Sequence, residues 1–489
     1  MIGPVSWHFL NLNGDLNKLG WQNNQRSKLW RYNQHYFDDL NSVDAKKRVN
    51  WHKNIIEIWV KDNPLAFGVG WDPYPTSLRI VNWVKWVKKG NNLSENAIQS
   101  LAVQSRWLAK RIEWHLLGNH LFVNAKALIF SGLFFEGDEA DLWLLKGMNI
   151  LKKELSEQFL SDGGQFELSP MYHALAVIDL LDLINICEAN RGRFSDLQNE
   201  QVKSWRVLLP NMLNWLAAMS HPDGKISFFN DAAFNIAPPN QEIFDYAQRL
   251  GLYYSDPENG ITDLNESGFV RMQLNEAVII ADLAEIGPSY LPAHAHADTL
   301  SFEFSLSSQR IFVNSGTSQY GLSTERIRQR GTKAHNTVSV CDKNSSEVWS
   351  GFRVGSRAKI LNKVICEQGS VLRAYASHDG FLKDFKGLLH SRDFEFSKNK
   401  LVITDYISEF NDAEARFFLH PSVSIERISQ TTGRLISSGG LILNWSVKGA
   451  RSIEIAKSSW HPEFGLSVSN QSLLVKFSDL KCQLSVTWH

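Results

Sequence analysis

The chain has 489 residues, 43% hydrophobic and 21% charged, a balance that excludes a disordered or fibrous protein and supplies enough apolar matter for two or three domains. Lysine plus arginine and aspartate plus glutamate each total 51, so the formal charge is zero and nothing favours nucleic acid or a membrane surface as partner. A local cationic cleft for an acidic ligand is still compatible with that neutrality.

The opening MIGPVSWHFLNLNGDLNK has no basic stretch followed by a long apolar one, so no secretory leader is read. The cytoplasm is the default expectation, with the periplasm for a chain already trimmed of its leader. Cys187, Cys341, Cys366 and Cys482 are scattered without a CxxC pair, which argues against a disulfide framework or a thiolate zinc site.

In chain order, Ser94 to His115 places Leu101, Val103, Trp107, Leu108, Ile112 and Trp114 broadly on one side and predicts a helix. Leu142 to Phe159 and Met171 to Cys187 predict two more, with Gly118, Gly163-Gly164 and Pro222-Asp223-Gly224 as turns. The apolar run Ala174 to Cys187 is interrupted by Asp179 and Asp182 and is too short to span a bilayer. Helical hairpins without a short repeat suit a bundle or toroid. Thirteen of the 17 tryptophans lie before residue 256, where indoles either line a carbohydrate cleft or fill helix interfaces.

Asp256 to Glu266 is polar, carries Pro257 and Gly260, and reads as a linker. Beyond it short Val-, Ile- and Phe-rich runs predict strands: Ala277 to Leu283, Leu300 to Leu306, Arg310 to Ser315, Asn336 to Cys341, Leu473 to Phe477 and Leu484 to Trp488. Ser397-Lys-Asn-Lys400 reads as a hairpin turn. The expected organisation is a helical domain over 1–258 and an antiparallel β-sandwich over 259–489.

Four clusters carry candidate chemistry. Asn119-His120 aims an amide and an imidazole from a turn, suited to one anionic group. In Asp162-Gly-Gly-Gln165-Phe-Glu167-Leu-Ser-Pro170-Met-Tyr172-His173, a glycine pair and a proline open a helix amid dense polar residues, and Tyr172 is a candidate proton-transfer group. His294-Ala-His296-Ala-Asp298 presents two imidazoles at i and i+2, as catalytic base plus metal ligand or as two ligands. Last, His296, Asn314 and His335 could close a metal site from three strands, and Arg326, Arg328 and Arg330 could meet acidic sugar groups.

Together these clusters resemble the heparinase II/III superfamily. Leu29-Trp-Arg-Tyr-Asn-Gln-His35-Tyr-Phe-Asp38 and Trp71-Asp-Pro-Tyr-Pro-Thr-Ser-Leu-Arg79 resemble its N-terminal signatures, and the four clusters follow in the family's order. The resemblance implies an incomplete (α/α) toroid followed by an antiparallel β-sandwich. It implies β-elimination in a uronate-containing polysaccharide or oligosaccharide. Asn119 and His120 would neutralise the carboxylate, Tyr172 would be general acid and, for one epimer, base, and His294 the other base. Glu167, Gln165, Trp71, Arg79, Arg330 and Tyr320 would contact or orient substrate. It also implies one structural divalent metal, zinc by preference, on His296, Asn314 and His335. There Asn314 departs from the usual Asp, and an amide is a weaker ligand unless Asp298 compensates. No organic cofactor is expected, and the chain would be a monomer or homodimer.

Two other readings stay open. A glycoside hydrolase would need two carboxylic acids, such as Glu167 and Asp231. A non-catalytic glycan-binding or biosynthetic partner could keep the same scaffold.

Overall fold

The structure is a computed structural model that describes all 489 residues, Met1–His489. By contacts it divides into two compact units, one of Met1–Gln158 with Ile178–Val207 and the other of Phe159–Val177 with Leu208–His489.

The first unit is helical. Its helices include Lys28–Tyr36, Val49–Asp62, Pro73–Lys88, Glu95–Ala109, Gly118–Phe134 and Asp138–Gln158. Local chemistry sets several boundaries. Ser94 caps Glu95–Ala109 by accepting from the Ala97 amide. Pro73 and Pro75 open Pro73–Lys88 where a missing N–H costs nothing. The predicted helix from Ser94 runs shorter than expected, and Trp114, placed on its apolar side by periodicity, is 54% exposed in the turn that follows. Gly118 is no simple turn either. With Leu117 at φ +57° and Gly118 at +53°, the chain reverses and Gly118 starts the 17-residue helix Gly118–Phe134. Most of the tryptophans fill interfaces: Trp30, Trp59, Trp83, Trp86 and Trp205 are essentially inaccessible.

The helix Pro170–Ala189 is long and apolar enough to cross a bilayer, yet 67% of that stretch is buried inside the protein, as in a core helix. Its 20 residues exceed the apolar run marked from sequence.

The second unit is built on antiparallel sheets. Five strands run in the order Gly260–Leu264, Phe269–Leu274, Ala277–Asp282, Phe302–Leu306 and Gln309–Phe312. Part of the expected linker is therefore the edge strand of this sheet, its polar residues paired to Phe269–Leu274. Four strands pair in the order Ala450–Trp460, Val468–Phe477, Ala413–Phe418 and Val338–Val340, and eight form a third sheet around Lys400–Ile407 and Lys481–Thr487. The predicted hairpin closes with Ser397 opposite Lys400. One apolar core draws Ile279 and Phe304 from the first sheet, Phe417 and Val475 from the second, and Phe394, Ile403 and Leu484 from the third. Burial of such side chains contributes roughly 25 cal/mol per Å² and dominates the cohesion of this unit.

Candidate functional site

In the second unit the Gly163–Gly164 turn and the Leu168–Ser169 corner lead into the helix that carries Tyr172. Leu168 has φ +60°, and Ser169 caps the helix by accepting from the Tyr172 amide at 3.2 Å. His294 lies on a loop ahead of the strand Phe302–Leu306. The two rings pack against each other, tilted by 35° with centroids 4.0 Å apart. The Tyr172 hydroxyl lies 2.8 Å from that of Tyr320.

Behind them stands Asp231, fully buried. Its Oδ2 accepts from His294 Nδ1 at 2.8 Å and its Oδ1 from His296 Nε2 at 2.9 Å. Arg326 clamps the same carboxylate through both guanidinium nitrogens. Burial opposes ionisation, but the Arg326 charge and these hydrogen bonds hold the Asp231 carboxyl well below the usual range. An ionised Asp231 has no proton to give, so His294 donates from Nδ1 and presents the Nε2 lone pair. Glu167 Oε2 lies 3.6 Å from that Nε2. Burial, and then Asp231, push the Tyr320 phenol well up, so Tyr320 keeps its proton.

Asn230 ties the loops together. It adopts φ +56°, a conformation Asn tolerates better than most residues. Its Nδ2 donates to Leu168 O at 2.9 Å, its Oδ1 accepts from the His296 amide at 3.0 Å, and its own amide donates to Asp298 Oδ2 at 3.0 Å.

The expected metal site changes composition. His296, Asp298 and His335 are buried with donor atoms within 4.8 Å of one another. Asn314 spends its amide elsewhere: Oδ1 accepts from the Asn336 amide at 3.0 Å, and Nδ2 donates to Phe228 O at 2.9 Å. Asp298 thus supplies the third donor in place of Asn314, and the donors sit on loops rather than on three strands. His296 Nδ1 and His335 Nε2 face each other at 3.2 Å. Two nitrogens bound to one tetrahedral zinc at about 2.0–2.1 Å would stand about 3.3 Å apart. Burial holds the His335 imidazole neutral, as a ligand must be. Asp282 and Asp298 form a buried carboxylate pair in which burial and Asp298 push the Asp282 carboxyl well up, an arrangement a cation would relieve. The residues present fit a divalent metal.

Several expected substrate contacts are structural. Arg330 is inaccessible and donates to Ala295 O at 3.0 Å and to Ser350 O at 3.2 Å. Arg328 is paired with Glu325 at 2.7 Å. Gln165 is buried, its amide spent on Glu167. In the first unit Arg79 is inaccessible, bonded to Gln104 at 2.8 Å and Gly70 O at 2.9 Å and stacked on Trp59. Trp71 is buried between Trp59 and Trp107. Arg330, Gln165, Arg79 and Trp71 belong to the scaffold because each finds its partners inside the protein, whereas Arg328 and Glu325 form a pair at the surface.

Asn119 and His120 lie in the first turn of Gly118–Phe134, in the first unit. His120 Nδ1 is 3.2 Å from Glu113 Oε1, and its ring centroid is 4.6 Å from that of Tyr74. Asn119 bonds the Tyr74 phenol, whose proton is held by burial and by Asp179, Asp38 and Glu113 nearby. Tyr74, inside the Trp-Asp-Pro-Tyr-Pro signature, carried no signal beyond that signature. Asp231 was named only as a hydrolase acid. That reading fails on geometry, because a carboxylate buried and held by Arg326, His294 and His296 has no face for a sugar.

A family model described as heparinase II/III N-terminus matches residues 21–253, and one described as heparinase II/III-like, C-terminal, matches 256–489. A heparin-sulfate lyase of Bacteroides stercoris is 26% identical over 448 residues, covering 81% of this chain and 64% of the relative. One from Pedobacter heparinus is 25% identical over 249 residues, covering 46% of this chain and 36% of the relative. The chain thus spans less than two thirds of the length of these relatives. A crystal structure of heparinase III superposes with a TM-score of 0.73 at 18% identity, over 94% of this chain and 76% of that one. A heparan sulfate lyase structure from Pedobacter heparinus gives 0.62 at 18% identity, over 97% and 79%. At that identity the likeness concerns fold. With both family models matched along nearly its whole length, the chain belongs to the heparinase II/III family.

Proposed function

We propose that this chain is a polysaccharide lyase that cleaves a uronate-containing acidic polysaccharide or oligosaccharide by β-elimination. The observation that carries the reading is the Tyr172–His294 pair, with the histidine's tautomer set by Asp231 and the phenol bonded to Tyr320. The named activity of the curated relatives agrees with it.

Elimination removes the proton α to the uronate carboxylate and expels the 4-oxygen, leaving a carbon–carbon double bond. His294 Nε2 takes the proton, and Glu167 beside it favours the imidazolium that forms. Tyr172 gives its proton to the departing oxygen, and Tyr320, which keeps its own, donates to the phenolate left behind. For Asn119 and His120, at a helix start in the first unit where the backbone dipole favours an anion, the role proposed is binding of a uronate carboxylate. A zinc held by His296, Asp298 and His335 would supply structural cohesion to the loop that carries His294. The core shared by three sheets supports a β-sandwich, and the helices of the first unit an incomplete (α/α) toroid.

The test is incubation with uronate polymers while the ultraviolet absorbance of the unsaturated product is followed. Tyr172→Phe should bind polymer and lose turnover by about 10²–10⁴-fold. New reducing ends without absorbance would instead establish hydrolysis.

A further inference from the structure

Resting on the reading of His296, Asp298 and His335 as a metal site, we propose that Arg392 is a positioning residue for it. Its guanidinium ties together the two loops that carry Asp298 and His335. Arg392 lies on the strand His390–Ser397 of the eight-stranded sheet and is inaccessible to solvent. Its Nη1 donates to Leu300 O at 2.8 Å and also to Asn336 O. Leu300 follows Asp298 by two residues, and Asn336 follows His335 directly. One nitrogen therefore fixes two carbonyls, and with them the gap between a carboxylate and an imidazole whose donor atoms must meet one ion.

Leu300 has φ +64°, a left-handed conformation that a leucine keeps only where its surroundings hold it. The Arg392 bond to its carbonyl is part of that hold. The guanidinium also sits among the rings of Phe302, Phe394 and Phe417, at 5.8, 5.8 and 6.0 Å from their centroids. A buried ion pair in such a core adds little net stability over apolar side chains of similar volume. What apolar side chains cannot supply is a fork of donors aimed at chosen carbonyls.

The fork is itself held. Asp405, on the neighbouring strand Lys400–Ile407, accepts from Arg392 Nε at 2.7 Å and from Nη2 at 2.9 Å. Burial opposes ionisation of Asp405, but the Arg392 charge and the bonds from His390 and Arg392 hold its carboxyl below the usual range. That carboxylate accepts from His390 Nε2 at 2.8 Å, which leaves His390 Nδ1 to accept from His378 Nε2 at 3.1 Å. His378 Nδ1 in turn accepts from the Gly380 amide at 3.1 Å. Burial keeps both imidazoles neutral, so each has one donor and one acceptor, and all four are used. The bonds from Gly380 to Asp405 thus have a single proton arrangement, and the two-pronged grip of Asp405 fixes the plane of the guanidinium.

The experiment measures zinc affinity of the full chain by competition with a chromophoric chelator, with thermal unfolding alongside. Arg392→Lys keeps the charge and loses the fork, and should bind zinc about 10–100-fold more weakly. Arg392→Met combined with Asp405→Leu removes both charges, so that folding survives, and should weaken zinc as much. Cobalt in place of zinc should give the intense visible absorption of a tetrahedral site in the parent and a weaker one in both variants. Leu435→Ala lies in the same core, on the strand Thr432–Ser437 four places along the sheet. It should lower the melting temperature and leave zinc affinity within about twofold. Zinc affinity equal to the parent's in either folded Arg392 variant overturns the inference and leaves the metal reading standing. So does a loss of affinity in Leu435→Ala as large as that in Arg392→Lys, because the effect would then follow stability alone. Failure of both Arg392 variants to fold assigns the residue to folding and likewise overturns it. A parent that binds no zinc removes the metal reading and the inference together.

Discussion

Asp231 Oδ2 lies 2.8 Å from His294 Nδ1, and this carboxylate is also the counter-charge of Arg326, itself inaccessible to solvent. One buried group thus orients the candidate base and neutralises a guanidinium. Asp231→Asn removes the charge and leaves Arg326 buried without a counter-ion, which should lower folding stability by about 3–5 kcal/mol. Denaturant unfolding of parent and variant checks it, and a loss under about 1 kcal/mol would show that the ion pair is not needed.

Metal content is a second check. If His296, Asp298 and His335 hold zinc, elemental analysis of the purified chain should find about one equivalent, and His335→Ala should lose it. Chelation should lower the melting temperature of the parent and leave that of the variant unmoved. Equal melting of parent and variant, with no bound metal in either, would remove the site.

Acid sensitivity follows from two buried histidines. Burial, and then the Arg79 charge, lower His35 from 6.5 to about 3, and burial lowers His173 to about 4. The folded chain holds both neutral, whereas the unfolded chain takes up protons near pH 6.5. Stability from this source is present above pH 6.5 and falls as pH drops toward 4, by roughly 1.4 kcal/mol per pH unit for each histidine. Unfolding curves between pH 7 and 4.5 measure the slope, and His35→Gln should flatten it. A slope unchanged in the variant would refute the assignment to His35.

Arg330 separates scaffold from substrate contact. Its fork donates to Ala295 O through Nε at 3.1 Å and Nη2 at 3.0 Å, holding the backbone between His294 and His296. Lysine cannot reproduce two parallel donors. Arg330→Lys should cost about 1–3 kcal/mol of stability by leaving that carbonyl short of partners. A rise in KM with unchanged stability would return Arg330 to the substrate.

The parts of the site legible in the sequence are those whose residues sit close together along it. His294 and His296 do reach one group, and that group is Asp231, which both grip. Tyr172 follows its glycine–proline turn onto a helix as expected. The strands predicted over Ala277 to Leu283 and Leu300 to Leu306 form at Ala277–Asp282 and Phe302–Leu306; they were legible because Val278, Ile279, Ile280, Phe302, Phe304 and Leu306 favour a buried strand. Edge strand Gly260–Leu264 was not, because at an edge the polar residues of Gly-Ile-Thr-Asp-Leu face solvent and imitate a loop.

Spacing and residue type by themselves determined which side chains could do chemistry: the Asn119–His120 pair, Tyr172, and the alternation of His294, His296 and Asp298. Tertiary structure alone decided what each is used for. Asp231 is 63 positions from His294 and 95 from Arg326, so its role exists only once the chain has closed those distances. The same closure turned Arg79, Arg330 and Trp71 inward, because a buried guanidinium or indole must find its partners among carbonyls and rings that no local pattern announces.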